Sequence, residues 1–322
     1  MQILVFGKDG QLGKAFRNFF KEHFSPEKQS QIQYVGREDC DLANPVAVEA
    51  LLNQVKPKLI INAAAYTAVD KAQSEPSIAD AINHVAPQVM ARYAAKHDAT
   101  LLHYSTDYVF DGSKAGFYVE EDARNPLSEY GKSKAAGEIA IENAFANASL
   151  GQYAILRTSW VYGDGGNFIK KILRLGKDRD SLSVIQDQYG VPTSADWLAA
   201  VSLDLVMNDQ GQIQAFTSGI YHAVPPGETN WYEMACIVIR AAHEIEGGSA
   251  ANYRLTVSSI KPIPATEYPL PAPRPMNSRM SAQKLKQAIA GRHDVSKLQR
   301  WNVAWADQVR SYVQKLIKEQ VI

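Results

Sequence analysis

A chain of 322 residues, 46% of them hydrophobic, can bury a full core and carry two domains. Thirty-four lysines and arginines balance 34 aspartates and glutamates, and a formal charge of zero argues against a nucleic-acid partner or an acidic membrane surface. Two cysteines, Cys40 and Cys236, and seven scattered histidines without an HExxH argue against a disulfide framework and a metal site. No apolar run reaches the roughly 18 residues of a transmembrane span, and MQILVFGKDG meets glycine too early for a signal peptide. The expectation is a cytoplasmic, metal-independent α/β protein.

QILVF (2–6) is a short apolar run stopped by glycine, a buried-strand signature, and residues 11–20 follow with helical character. IQYV (32–35) predicts a second strand, and Pro45 opens a helix to about Val55. KLIINAAA (58–65) predicts a third strand, residues 78–96 a long helix, and TLLHYS (100–105) a fourth strand. A helix over 128–147 and a strand within YAILRTSWVYG (153–163) complete an alternation that means a doubly wound, Rossmann-like parallel sheet. After Gly163 the rhythm breaks. GIYHAV (219–224) predicts another strand, and the six prolines of 262–275 predict a loop. The expected organisation is a nucleotide-binding domain over 1–163, rejoined by segments near 185–224. A smaller mixed lobe takes 164–184 and most of 225–322.

GKDGQLG (7–13) lies between the first strand and the first helix. Gly7 permits a tight turn, Gly10 lets backbone approach a pyrophosphate, and Gly13 allows close helix packing. Arg37 follows the second strand where an NAD site places an acid. Its guanidinium suits a 2′-phosphate, so NADPH is the expected cofactor, with NADH possible. Asp41 and Leu42 are placed to flank the adenine, and the small residues of NAAAYT (62–67) leave room for the cofactor to cross.

Strand four ends in HYSTDYVFDG, which brings Ser105, Thr106 and Asp107 to the carboxyl edge of the sheet, where open α/β folds bind ligands. Tyr130 and Lys134 stand one helical turn apart on one face. A lysine ammonium lowers the pKa of a nearby phenol from about 10. The pair therefore reads as a tuned proton donor for ketone reduction, with Thr106 or Ser105 as a second donor to the carbonyl oxygen.

Six segments together, FGKDGQLG (6–13), NAAAYTAVDKAQSEP (62–76), STDYVFDG (105–112), NPLSEYGKSKAAGE (125–138), LRTSWVYG (156–163) and RPMNSRM (274–280), resemble the dTDP-4-dehydrorhamnose reductase family of the extended short-chain dehydrogenase/reductases over nearly the whole chain. The resemblance implies NADPH- or NADH-dependent reduction of the 4-keto group of dTDP-6-deoxy-L-lyxo-4-hexulose. It implies Tyr130 as the acid, Lys134 as its partner and Thr106 as the hydroxyl helper. Asp107 and Trp160 would meet the sugar, and Arg274 and Asn277 the nucleotide diphosphate. Gly10, Gln11 and Leu12 would line the pyrophosphate, and Ala63, Ala64, Ala65 and Thr67 the ribose and nicotinamide. Asn83 would order backbone near the site, and Arg157 would support the end of strand five. Where some relatives dimerise around Mg²⁺ held by glutamates, this chain has Lys14–Ala15 and Ser194–Ala195–Asp196. The expectation is no bound metal and a monomer or metal-independent homodimer. The rivals are a related nucleotide-sugar epimerase, a dehydratase, which Tyr108 after Asp107 disfavours, and a non-catalytic NADP-binding subunit of methionine adenosyltransferase type.

Overall fold

The computed structural model describes residues 2–247, 252–293 and 299–322. Six strands form the central sheet: β1 (Ile3–Phe6), β2 (Ile32–Val35), β3 (Leu59–Asn62), β4 (Thr100–Thr106), β5 (Gln152–Thr158) and β6 (Gly219–His222). Their order is β2-β1-β3-β4-β5-β6, and every pairing is parallel. The order reverses between β1 and β3, so a crevice opens there at the carboxyl edge.

Side-chain alternation along a strand builds two cores from one run. Ile3 and Val5 pack with Leu59, Ile61, Leu102 and Leu156 under helices α1 (Gln11–His23) and, from the second half of the chain, Ala195–Val206. Leu4 and Phe6 point the other way, into a core with α2 (Pro45–Val55) and α3 (Ala86–Lys96). Apolar residues on both faces explain why β1, β3 and β4 are buried from end to end. The α2 start is set by Pro45 and by Asn44, whose side chain accepts from the Val46 and Ala47 amides. Next comes α4 (Glu129–Phe145), capped by Ser128.

A third core gathers α5 (Phe168–Asp178), α7 (Trp231–Glu246) and α9 (Trp305–Lys318) around Ile169, Leu173, Val238, Ile239 and Val309. The helix Ala195–Val206 is α6, and α8 is Gln283–Ile289, whose Leu285 and Ile289 pack back into the α1 core. Short ladders join Leu182–Ile185 to Ile260–Ile263 and Val161–Tyr162 to Thr193–Ser194.

The third strand stops at Asn62 rather than 65, and the fifth, expected within 153–163, ends at Thr158. The helix expected over 78–96 is interrupted by a π turn, Ala81–Val85, between Pro76–Asp80 and α3. Pro87 has no N–H to give the Asn83 carbonyl, and Ala86 N–H reaches back to Ala81 instead. The Asn83 carbonyl lies against Gly137 of α4, where an added Cβ would come within 2.1 Å.

Candidate active site

The glycine loop is built by contact. Gly7 has φ +86°, and a Cβ on it would meet the Ala63 carbonyl at 2.8 Å, so the turns after β1 and β3 touch at the switch point. A Cβ on Gly13 would fall 2.1 Å from the Gly7 oxygen, which locks α1 onto the loop. Gly10 opens α1 without a side-chain cap. Its outer side is free, since an added Cβ would meet only the Gly7 oxygen at 3.4 Å. The first-turn amides of an uncapped helix are an anion site. Gly10, Gln11 and Leu12 line a cavity of about 700 Å³, together with Gly7, Ala63, Ala64, Ala65 and Thr67. The wall is small and amide-rich, as a dinucleotide requires, and the residues fit one. Gly13 stands behind this wall and supports it.

Arg37, Asp41 and Leu42, which follow β2, line the same cavity. The two acids beside Arg37 are already engaged. Lys8 Nζ lies 2.7 Å from Glu38 and 2.6 Å from Asp39, and Asp39 also accepts from the Gly36 amide at 2.8 Å. Among the described residues Arg37 makes no ion pair, so its guanidinium remains available at the cavity mouth. Asp9, which the sequence reading passed over, lines the same corner beside Gly36.

At the other end, β4 runs into a tight turn, Asp107–Val109, pressed against α4. Gly131, between Tyr130 and Lys134, has its reason here: a Cβ would sit 2.3 Å from the Tyr108 carbonyl. Thr106, Asp107, Tyr130 and Lys134 all line the cavity. The Thr106 hydroxyl donates to Asp107 Oδ1 at 2.8 Å and accepts from the Tyr108 amide at 3.2 Å. Burial pushes the Tyr130 phenol up, the Thr106 hydrogen bond draws it down, and the Asp107 charge pushes it up again. Lys134 is fully buried. Its Nζ donates to the Tyr104 carbonyl at 2.6 Å and lies 3.3 Å from His103 Nε2. Burial lowers the Lys134 pKa to about 8, with Glu138 opposing. Desolvation has the largest effect on the Tyr130 phenol, and the Lys134 amine donates to the β4 backbone. Asp107 is buried, and its pKa rises to about 6 through burial, against hydrogen bonding from Ser278 and Thr106.

Trp160 adopts a left-handed backbone, φ +48°, uncommon for a bulky residue. It lies flat on Trp231, ring centroids 3.7 Å apart and 19° between planes, and both line the cavity. Glycine is required at Gly190, where a Cβ would be 2.7 Å from the Trp160 ring. Asn83 holds the loop after β3 as expected. It accepts from the Tyr66 amide at 2.9 Å and donates to the Tyr66 carbonyl and the Ser133 hydroxyl, both at 3.0 Å. Arg157 is buried at the end of β5 and grips Glu138 through two bonds of 2.9 and 2.7 Å.

Two expected substrate residues stand outside the cavity lining. Arg274 pairs with both Asp70 oxygens, at 2.8 and 3.0 Å. Asn277 donates to the Lys114 and Gly116 carbonyls and accepts from Arg279. Its carboxamide is filled by loop contacts rather than turned to a diphosphate. Tyr108, Trp231 and Tyr66 line the cavity without having been singled out. Only the place of Tyr108 next to Asp107 offered a signal. Lys14, at one of the positions compared with metal-binding glutamates, pairs with Asp164, and Ser194 caps α6.

A family model described as "RmlD substrate binding domain" matches residues 1–313. The chain is 39% identical over 296 residues to the dTDP-4-dehydrorhamnose reductase of Escherichia coli (strain K12), covering 90% of this chain and 92% of that one. The crystal structure of a dTDP-4-dehydrorhamnose reductase from Clostridium acetobutylicum superposes with a TM-score of 0.81 at 32% identity, over 98% of this chain and 100% of that one. A Bacillus anthracis dTDP-4-dehydrorhamnose reductase in complex with NADP gives 0.76 at 28% identity, over 97% and 99%. With the glycine cradle, the Thr106–Tyr130–Lys134 corner and a match along nearly its whole length, the chain belongs to the dTDP-4-dehydrorhamnose reductase family.

Proposed function

We propose that this chain reduces the 4-keto group of dTDP-6-deoxy-L-lyxo-4-hexulose to give dTDP-L-rhamnose, with NADPH as the preferred reductant. The observation that carries the reading is that Thr106, Tyr130 and Lys134 line the same cavity as the glycine cradle. When bound there, the nicotinamide supplies the hydride. Every other demand falls on the chain. The α1 amides and Arg37 hold the phosphates. Trp160 and Trp231 form a flat apolar wall that excludes water and orients the sugar ring. Thr106, turning its single hydroxyl proton away from Asp107, donates to the sugar oxygen, and Tyr130 gives it a proton as negative charge develops there. The raised Tyr130 pKa keeps the phenol protonated and ready to donate before reaction. Lys134, once charged, stabilises the phenolate that is left.

Residues 1–163 with segments near 185–224 serve the cofactor, and 164–184 with most of 225–322 serve the sugar nucleotide. The protein works as a monomer or metal-independent homodimer. Intact Thr106, Tyr130 and Lys134 favour catalysis over a purely regulatory role. Loss of NADPH absorbance on adding a freshly prepared nucleotide-linked 4-keto-6-deoxy sugar tests the proposal. A flat trace with folded, NADPH-binding protein overturns it.

A further inference from the structure

His103 is a buried titratable residue that the mechanism above leaves unused. It lies in β4 three residues before Thr106, with no exposure, between two polar neighbours. Asn62 Nδ2, from the end of β3, is 3.0 Å from His103 Nδ1, and Lys134 Nζ is 3.3 Å from His103 Nε2. A neutral imidazole has one N–H and one lone pair, so the two contacts must differ in direction. Ala64 fixes which is which. Its amide donates to Asn62 Oδ1 at 3.3 Å, which leaves the Asn62 amide nitrogen to face the ring. That nitrogen can only donate. His103 Nδ1 therefore accepts, and the ring proton sits on Nε2, pointing at Lys134.

Lys134 also donates to the Tyr104 carbonyl at 2.6 Å. An uncharged amine satisfies both neighbours, donating to Tyr104 and accepting from His103. An ammonium has no lone pair and would meet the Nε2–H proton to proton. We propose that His103, oriented by Asn62 and Ala64, is a positioning residue that lowers the pH at which Lys134 loses its charge. The inference rests on Lys134 serving Tyr130 as a cation. The other charged group acting on Lys134 is Glu138, one turn along α4, which favours the ammonium. Glu138 is itself held by Arg157 from β5 and by Arg124 at 2.6 Å, which weakens that help. Burial acts in the same direction as His103, and a charged Lys134 in turn holds His103 neutral.

The consequence is an alkaline limit on activity set behind the catalytic pair rather than in it. Above that limit the phenolate left by proton donation has no adjacent cation. Releasing the tautomer should move the limit upward. Asn62→Ser replaces an obligate donor with a hydroxyl that also accepts, so His103 can carry its proton on Nδ1 and offer a lone pair to the ammonium. Asn62→Asp does the same and adds a charge.

The test uses the whole protein without substrate, so its failure is separate from failure of the assigned reaction. Long-range ¹H–¹⁵N spectra of histidine-labelled protein report the His103 tautomer, and ¹³C-labelled lysine reports the Lys134 titration. The expected result is an Nε2–H tautomer in the parent at pH values above the Lys134 pKa. The Lys134 midpoint should then rise by about one pH unit, a tenfold change in its ionisation constant, in Asn62→Ser and further in Asn62→Asp. An Nδ1–H tautomer in the parent under those conditions overturns the proposal even if neither variant folds. So does an unchanged Lys134 midpoint in either folded variant.

Discussion

Arg37 gives the sharpest test of how the cavity reads its cofactor. Replacing it with alanine removes a guanidinium that lines the cavity and makes no ion pair among the described residues. NADPH and NADH differ only in the 2′-phosphate, so their ratio isolates this contact. A hydrogen bond to a charged group contributes about 1.5–3 kcal/mol, and about 1.4 kcal/mol is tenfold in affinity. Arg37 is exposed, and solvent and salt screen its charge, so the lower half of that range applies. The dissociation constant for NADPH should rise roughly 10- to 30-fold in Arg37→Ala, while that for NADH stays within about twofold. Trp160 and Trp231 line the same cavity, so energy transfer from tryptophan to the reduced nicotinamide measures both constants directly. A companion change, Lys8→Met, frees Glu38 and Asp39 beside Arg37 and should weaken NADPH several-fold with little change for NADH. Equal weakening of both cofactors in Arg37→Ala would refute the reasoning and make the residue a structural prop. An unchanged NADPH constant would show that the 2′-phosphate is held elsewhere.

Tyr130→Phe should bind NADPH normally in the same fluorescence titration and lose about 10²–10⁴-fold in kcat, because phenylalanine keeps the packing and has no proton to give. Asp107, whose pKa of about 6 lies above its unfolded value of about 4, holds its proton more tightly in the folded state, so stability should fall as pH rises from about 4 through 6. Urea midpoints across that window should show the fall in the parent, at most about 3 kcal/mol, and its loss in Asp107→Asn. Arg157→Met leaves Glu138 buried with a single ion-pair partner, Arg124, and should cost about 3–5 kcal/mol in chemical denaturation; a cost under about 1 kcal/mol would mean that the Arg124 contact suffices.

What the sequence made legible was local. Gly7, Gly10 and Gly13 act within seven residues; Gly7 and Gly13 answer close backbone approaches that a side chain would block, and Gly10 leaves the helix start open. Tyr130 and Lys134 share one helical face, so spacing alone brought them together. What it hid depends on partners far away in the chain. Arg274 and Asn277 were visible as donors, but their acceptors, Asp70 and the Lys114–Gly116 backbone, lie some distance off along the chain. The same holds for Lys134, whose carbonyl and imidazole neighbours come from β4. Trp231 belongs to an element whose placement over the cavity no periodicity reveals. The interruption before α3 was readable from Pro87 and was missed because apolar spacing continues across it.

The placement of β6 has a consequence for the order in which a nascent chain becomes competent. The glycine loop and the Tyr130–Lys134 pair leave the ribosome early, yet β5 keeps an open edge until residues 219–222 arrive to pair with Ala154 through Arg157. The α1 face likewise waits for α6 and for Leu285 and Ile289. Late strand pairing across such sequence separations is slow, and an unpaired apolar edge invites association with other chains. Halting synthesis before residue 219 would therefore strand a fragment that holds the catalytic pair but has no closed sheet to support it. In this chain, translation must pass far beyond the chemistry before the chemistry has a frame.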